Sequence, residues 1–305
     1  MTALGAVFRP QNPPEHLREV VRAAEDSGLD ELWLWEDCFQ EGGIATTAAA
    51  LAWTDNLRVG VGVLPVPLRN VALTAMEIAT LERMFPGRAV WGVGHGVQDW
   101  MGQAGARVAS PVTLLGEYLD ALRGLLAGSR ITVKGRYIQL DDVALDWPPR
   151  TPPKILAAAS GPRTLELVGA AADGAILTSA TSAAGIRTAA AILHAARPAT
   201  AASDPYPIVV NLLAATGPDA AARVTADLSA QGRETIPDLG VSGDARAIAD
   251  TVLRWAEAGA TTVVLQPTSD EPDPAGFIRF VAEQVRPLVP CPSATSAGSP
   301  KIRQL

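Results

Sequence analysis

One histidine in the sequence lies where a side chain could take part in chemistry. His95 follows an apolar segment and stands between glycines, in the run Gly92-Val93-Gly94-His95-Gly96. At the end of a strand, such glycines let an imidazole reach a pocket, where it can exchange protons near neutral pH. A lone histidine more often has a structural role, but this position favours a functional one. The GxGxG pattern resembles only half of a dinucleotide-binding motif.

Two acids come directly after another apolar segment. Glu36 and Asp37 follow the run from Glu31 to Trp35, and Cys38 comes next. An acid at the carboxyl end of a strand can hydrogen-bond or orient a ligand, although a loop acid that faces water explains the same residues. A thiol beside two carboxylates resists ionisation, so we do not expect Cys38 to act as a nucleophile.

Glycines interrupt a third apolar segment, Gly60-Val61-Gly62-Val63-Leu64-Pro65. A glycine in a buried strand costs stability and usually marks a bulge or the close approach of a ligand to the backbone. The alternative is a tight layer of packing in which only glycine fits. Two glycines this close to the end of the strand favour a ligand.

A run of small residues, from Ala157 through Ala159 and Ser160 to Gly161, precedes Pro162 and Arg163. Proline suits the first position of a helix, and the backbone N–H groups of such a helix start bind anions. A plain helix cap also explains Ser160 and Pro162. It does not explain the small residues before them, which allow a ligand to approach the backbone.

Several function classes are excluded by what the sequence lacks. The motif HExxH, grouped metal-ligand spacings and GxSxG are absent, so we expect no metal, and any chemistry must come from an organic cofactor. The 305 residues carry a net charge of −7 without a long basic run, which argues against nucleic acid as a partner. Two cysteines exclude a disulfide framework. With neither a signal peptide nor a membrane-length apolar run, the sequence predicts a soluble, cytoplasmic protein of the size of an enzyme.

The candidate residues follow apolar runs that alternate with helical patterns. These runs lack strict alternation, as is typical of strands buried on both faces of a parallel sheet. Eight strand–helix units in about 290 residues predict an α/β fold, the (β/α)8 TIM barrel. The predicted strands cover residues 4–8, 31–36, 57–64, 88–94, 154–158, 174–178, 208–214 and 261–266. The predicted helices cover residues 13–27, 44–54, 70–84, 111–126, 162–171, 183–196, 218–230, 244–258 and 274–286.

One segment departs from this alternation. Residues 131–145 have the composition of strands around a turn at Gly135, which predicts a β-hairpin inserted after the fourth helix. A proline-rich linker, residues 146–153, leads back to the barrel. We therefore predict one domain over residues 1–290 with an insertion at about 128–153, and a disordered tail over residues 291–305.

Seven segments together resemble the bacterial luciferase-like flavin-dependent oxidoreductases, and within them the branch that uses the deazaflavin coenzyme F420. The resemblance runs from about Leu4 to Leu288. The segments that carry it are residues 24–30 (AEDSGLD), 33–39 (WLWEDCF), 60–69 (GVGVLPVPLR), 76–81 (MEIATL), 85–88 (FPGR), 92–96 (GVGHG) and 172–174 (ADG).

The resemblance implies roles for the residues singled out above. It places Asp37 and His95 against the cofactor ring, with Gly96 beside them. It implies a cis peptide bond between Gly62 and Val63 behind the ring. It assigns the cofactor's phosphate to the helix start at Ala159, Ser160 and Gly161. Members of the family are often homodimers that pair through helices near the second and third strands.

The sequence also departs from its relatives. The sugar-phosphate dehydrogenases of the family have a histidine where Cys38 stands and a glutamate where Val97 stands, so we do not expect oxidation of a sugar phosphate. Two of the four tryptophans near the strand ends, if they line the pocket, would indicate an apolar or planar substrate; the four are Trp33, Trp35, Trp91 and Trp100. The leading hypothesis is hydride transfer between coenzyme F420 and a small organic substrate. The alternatives are an FMN-dependent monooxygenase and a non-catalytic flavin-binding barrel.

Overall fold

The structure, a computed structural model, describes residues 2–201 and 203–290, and its parallel strands close into a barrel. The strands in chain order are β1 (Ala3–Phe8), β2 (Glu31–Leu34), β3 (Arg58–Pro65), β4 (Ala89–Gly94), β5 (Ile131–Lys134), β6 (Gln139–Val143), β7 (Ile155–Ala158), β8 (Gly174–Leu177), β9 (Ile208–Ala215), β10 (Gly240–Ser242) and β11 (Thr262–Pro267). The ring runs β1-β2-β3-β4-β7-β8-β9-β11, and the pairing of β11 with β1 closes it. This is the TIM barrel that the sequence predicts.

Helices surround the barrel and cover its outer face. They are α1 (Leu17–Asp26), α2 (Gly43–Ala52), α3 (Val71–Met84), α4 (Gln98–Gln103), α5 (Pro111–Leu126), α6 (Pro162–Ala171), α7 (Ala183–Ala196), α8 (Ala220–Ala230), α9 (Ala245–Glu257) and α10 (Pro274–Phe280). Side chains cap several of them: Asn70 accepts a hydrogen bond from the amide of Ala72, and Asp244 accepts one from the amide of Ala247. No helix within residues 2–201 and 203–290 combines the length and apolar character needed to cross a membrane.

The predicted β-hairpin is present. Strands β5 and β6 pair antiparallel, with Ile131 opposite Val143, and they follow α5, the fourth long helix. Residues 146–153 form no helix or strand, as expected for a linker. The predicted tail at residues 291–305 lies outside the described residues.

Three predictions about local structure are wrong. The predicted loop after β4 contains the short helix α4, and the loop at residues 232–243 contains β10, which pairs with β9. The predicted last helix is α-helical only to Phe280, and a π-helical turn, Val281–Val285, follows it. Both missed elements are short, with six and three residues, so they carry too little periodicity to detect.

A tryptophan fills the centre of the barrel. Trp33 is 1% exposed and packs among inward-facing residues that include Val7, Leu156 and Val264. Its indole Nε1 donates a hydrogen bond to Glu31 Oε2 at 3.0 Å. A Cβ on Gly60 would overlap the indole ring, so the packing interpretation, rather than the ligand interpretation, explains this glycine.

Candidate active site

A cavity of about 320 Å³ opens at the carboxyl ends of the barrel strands. This is the end at which TIM-barrel enzymes place their active sites, and its volume lies within the range of small-molecule sites. Seven of the eight predicted site residues line this cavity. They are Asp37, Gly62, Val63, His95, Gly96, Ala159 and Ser160. The eighth, Gly161, does not line the cavity and is the N-cap residue of α6.

A larger cavity, of about 740 Å³, lies at the opposite end of the barrel. Glu31, Arg58 and Ala89 line it, and they stand at the amino ends of their strands. None of the predicted site residues lines it. Residues at this end of a TIM barrel serve stability rather than chemistry, so the smaller cavity is the candidate site.

Asp37 is a carboxyl group in a protected position. It follows β2 and lines the cavity. Burial raises its pKa, and the positive charge of Arg9 opposes this increase. Arg9 is itself held by Asp227, with Nη1 and Oδ2 2.8 Å apart, and both side chains are buried. The carboxyl of Asp37 therefore exchanges its proton at a higher pH than an exposed aspartate does.

Within residues 2–201 and 203–290, the Glu36 side chain has structural partners, whereas the Asp37 side chain makes no hydrogen bond or ion pair. Its carboxylate accepts hydrogen bonds from the guanidinium of Arg69 at 2.6 and 2.8 Å and from the amide of Gly43 at 2.6 Å. Arg69 also pairs with Glu77 at 2.8 Å. These contacts join the end of β2 to the start of α2 and to α3, and they fix the wall of the cavity.

Cys38 is not an activated nucleophile. Burial raises the pKa of its thiol, and the negative charges of Glu36 and Asp37 raise it further. This increase in the thiol pKa agrees with the expectation that two neighbouring carboxylates disfavour the thiolate. The peptide bond between Cys38 and Phe39 is cis, which the sequence reasoning did not predict.

The loop after β4 positions His95 at the cavity. Its Nδ1 lies 3.1 Å from the carbonyl oxygen of Gly96, and because a carbonyl only accepts, Nδ1 donates; in the neutral ring this leaves Nε2 as the acceptor. Gln98 Nε2 donates to the carbonyl of His95 at 3.0 Å. Gly96 has a φ of +67°, and a Cβ there would lie 3.0 Å from the sulfur of Met101. Glycine is therefore required at this turn.

Backbone and small side chains form another part of the wall. The peptide bond between Gly62 and Val63 is cis, as the family resemblance implies. A Cβ on Gly94 would lie 2.8 Å from Val63 Cγ2 and 3.2 Å from the Cβ of Ala158. No side chain larger than hydrogen fits there, so at Gly94 the wall of the cavity consists of backbone alone.

Two buried polar atoms at the cavity have no partner in the structure. They are Oδ1 of Asn211 and Nε1 of Trp35, one an acceptor and one a donor. Asn211 is 7% exposed, and a buried amide oxygen without a hydrogen bond is costly. The sequence reasoning missed Asn211, although a single polar residue within the apolar strand IVVNLLAA is the signal that would have found it.

The four tryptophans separate into two pairs. Trp35 and Trp100 line the cavity. Trp33 fills the barrel, and Trp91 is fully buried with its Nε1 donating to Glu82 Oε1 at 2.7 Å. Two of the four tryptophans therefore line the pocket, which is the arrangement that would indicate an apolar or planar substrate.

The start of α6 lies next to the cavity. Ala159 and Ser160 line the cavity, and Gly161 and Pro162 begin the helix. No side chain caps this N-terminus. Its first-turn N–H groups and the positive end of the helix dipole suit an anion.

Glu41 is a buried carboxyl group that the sequence reasoning did not single out. It lies between β2 and α2, is 9% exposed, and its Oε1 has no hydrogen-bond partner in the structure. Burial raises its pKa from 4.5 to about 7, with a further contribution from the negative charge of Glu15. The folded protein therefore holds this proton at pH values at which the unfolded chain has released it.

The Glu41→Gln variant should change how stability depends on pH. Because the folded pKa exceeds the unfolded one, the free energy of unfolding of the wild type falls as pH rises from 4.5 to about 7. The variant lacks this loss. From pH 5 to pH 8, its free energy of unfolding relative to that of the wild type should therefore increase by about 2 kcal/mol. Urea unfolding at both pH values measures the difference. The exposed Glu19→Gln is the control, and an equal change in both variants would contradict the assignment.

Comparisons with known proteins agree with the barrel fold. A model of the luciferase-like monooxygenases matches residues 2–260. A 5,10-methylenetetrahydromethanopterin reductase of Methanolobus tindarius is 32% identical over 174 residues, 57% of this chain and 53% of the relative. An F420-dependent glucose-6-phosphate dehydrogenase of Kineococcus radiotolerans is 33% identical over 184 residues, 55% of this chain and 54% of the relative. The chain thus spans about half the length of the curated relatives it matches.

Solved structures share the fold at low sequence identity. An F420-dependent secondary alcohol dehydrogenase in complex with an F420-acetone adduct has a TM-score of 0.83 and 20% identity, and the match covers 95% of this chain and 99% of that one. A monooxygenase from Streptomyces bottropensis has a TM-score of 0.78 and 21% identity, with 94% and 99% covered. These likenesses establish the barrel. The family match over residues 2–260 establishes that the chain belongs to the luciferase-like monooxygenase family.

Proposed function

We propose that this protein is an oxidoreductase that transfers hydride between the deazaflavin coenzyme F420 and a small organic substrate. The observation that carries the proposal is the pair of unsatisfied polar atoms at the cavity, Asn211 Oδ1 and Trp35 Nε1. A flavin or deazaflavin ring carries an imide N–H and carbonyl oxygens on one edge, and it offers the donor and the acceptor that these atoms lack. The choice of F420 over FMN rests on the relatives, since one curated relative is named for that coenzyme.

The residues around the cavity fit such a coenzyme. Gly62, Gly94 and Ala158 present backbone and little side chain, which leaves room for a flat ring. The uncapped start of α6, at Ser160 and Gly161, would hold the coenzyme's phosphate. When bound, the coenzyme supplies a two-electron hydride donor or acceptor.

Asp37 and His95 are the residues we assign to proton transfer. His95 Nε2 is free to accept a proton while Nδ1 is held by the carbonyl of Gly96. Asp37 has its pKa raised by burial, which brings its proton exchange closer to neutral pH. Both line the cavity, so either group can hold the proton that a substrate oxygen gains or loses.

We also propose that the chain forms a homodimer through the outer face of α3. This face exposes Leu73, Met76 and Met84, which are 48%, 57% and 62% exposed. Their spacing places them on one side of the helix, and exposed large apolar side chains that share a helix face are typical of an interface. Sedimentation equilibrium should give twice the chain mass for the wild type and a smaller mass for Met76→Glu. A wild-type mass equal to one chain would exclude the dimer.

Coenzyme binding tests the proposed function directly. The purified protein should bind F420 tightly and FMN weakly, as measured by the fluorescence of each cofactor. Asn211→Leu should weaken F420 binding about tenfold or more, because it removes the hydrogen bond proposed for the ring edge. Thr225→Val, at an exposed position on α8, is the control and should bind normally. Tighter binding of FMN would support the monooxygenase instead, and binding without turnover would support the non-catalytic barrel.

Replacement of the cavity histidine should separate catalysis from folding. His95→Ala should keep the wild-type circular dichroism spectrum and lower kcat about 100-fold, since it removes a general acid–base group. His16→Ala changes an exposed residue in the turn Pro14–His16 and should leave kcat unchanged. An unchanged kcat in His95→Ala would remove this residue from the mechanism.

A further inference from the structure

The cavity has no lysine or arginine in its lining, and its one histidine, His95, is uncharged unless it takes up a proton. Its charged lining residues are Glu36 and Asp37, and both are acids. The carboxylate of Glu36 is matched by Arg69, whereas Asp37 makes no ion pair in the described part of the chain. An anionic substrate would therefore meet either a neutral or a negative surface here.

The two arginines that interact with the acids of the cavity, Arg69 with Glu36 and Arg9 with Asp37, are already neutralised by other carboxylates. Arg69 lies between two carboxylates, Glu36 and Glu77, at 2.6 and 2.8 Å. Arg9 is paired with the buried Asp227. Breaking a buried pair to bind a substrate anion would leave a carboxylate without its partner, which is costly.

Apolar side chains form the remaining surface. Val97 lies on the loop after β4, and Trp100 lies on the helix α4 that follows it. Trp35 comes directly after β2, and Ile176 lies on β8. Val97 is 48% exposed although it borders the cavity, so it presents an apolar surface to an incoming molecule. Indole rings bind flat apolar molecules by stacking and by burial of area.

We propose that the substrate is an uncharged, flat and mainly apolar carbonyl compound of one or two rings, and that the site rejects phosphorylated and carboxylated molecules. This inference rests on the proposed function, because the coenzyme ring shares the cavity. The total volume of about 320 Å³ leaves space beside that ring for only a small molecule. The helix start at α6 is taken by the coenzyme's phosphate, so it is not available to a substrate anion.

A matched pair of cyclic enones isolates the effect of charge. The probes are 3-oxocyclohexene-1-carboxylate and its methyl ester, which share one ring and differ in one negative charge and one methyl group. In the proposed reaction, the β-carbon of the enone would receive a hydride, which the bound reduced coenzyme would supply as it becomes oxidised. The electron pair of the C=C bond then takes a proton at the α-carbon, so the ring gains two hydrogens and the coenzyme loses its hydride.

The experiment measures probe binding to the coenzyme-loaded protein by calorimetry, and kcat/KM where turnover occurs. The ester should bind, and its affinity or kcat/KM should exceed that of the carboxylate about 100-fold, since the charge would be desolvated without a partner. Val97→Arg adds a positive charge at the rim and should improve the carboxylate about tenfold. Val97→Gln, which is polar but uncharged, is the matched control and should not improve the carboxylate.

The outcomes distinguish a failure of the proposed function from a failure of the proposed substrate class. If the protein fails to bind the coenzyme, the proposed function is overturned and this inference falls with it. If the coenzyme binds and the carboxylate equals or exceeds the ester, or neither probe binds, the substrate class alone is overturned. A preference for the ester that Val97→Arg reduces and Val97→Gln retains supports it.

Discussion

The barrel depends on one large side chain at its centre. Trp33 occupies the interior, and three glycines, Gly5, Gly60 and Gly62, approach its ring so closely that a Cβ would touch or overlap it. Its Nε1 is satisfied by Glu31, which in turn pairs with Arg58 at 2.8 Å. Because protein interiors are close-packed, this one ring leaves no space for a side chain at these three positions of the neighbouring strands. It also lines the cavity at the amino end, whereas Trp35, two residues later, lines the cavity at the carboxyl end.

The fold could be predicted from sequence because a parallel barrel repeats one unit. Each apolar run, followed by a helical pattern, independently predicts a buried strand, and errors at single boundaries do not change the count. The elements that were missed, α4 and β10, fall between those units and are short. The family resemblance added the cis peptide bond at Gly62 and Val63, which no propensity rule would have given.

The candidate site was only partly predictable, for a physical reason. Residues just after strands, such as Asp37 and His95, must gather because all strands of the barrel end on one rim. Asn211 lies inside a strand, and whether it faces the cavity or a helix depends on register, which composition does not give. Glu41 is unusual only because it is buried and lies near Glu15, and both facts arise from tertiary packing. The same limit left the roles of Trp33 and Trp35 unresolved until the barrel was known.

Charge is distributed unevenly around the rim of the barrel, and this distribution has a consequence for the proposed reaction. At one side, the start of α6 offers N–H groups without a capping side chain, an environment that favours an anion. At the other, the end of β2 carries Glu36 and Asp37, and the arginine beside them is neutralised by two carboxylates. Hydride transfer to a neutral carbonyl builds negative charge on its oxygen, and a cavity lined by neither lysine nor arginine stabilises that charge poorly unless a proton arrives with it. The raised pKa of Asp37 and the free Nε2 of His95 therefore fit a site that compensates the oxygen by proton transfer rather than by a fixed positive charge.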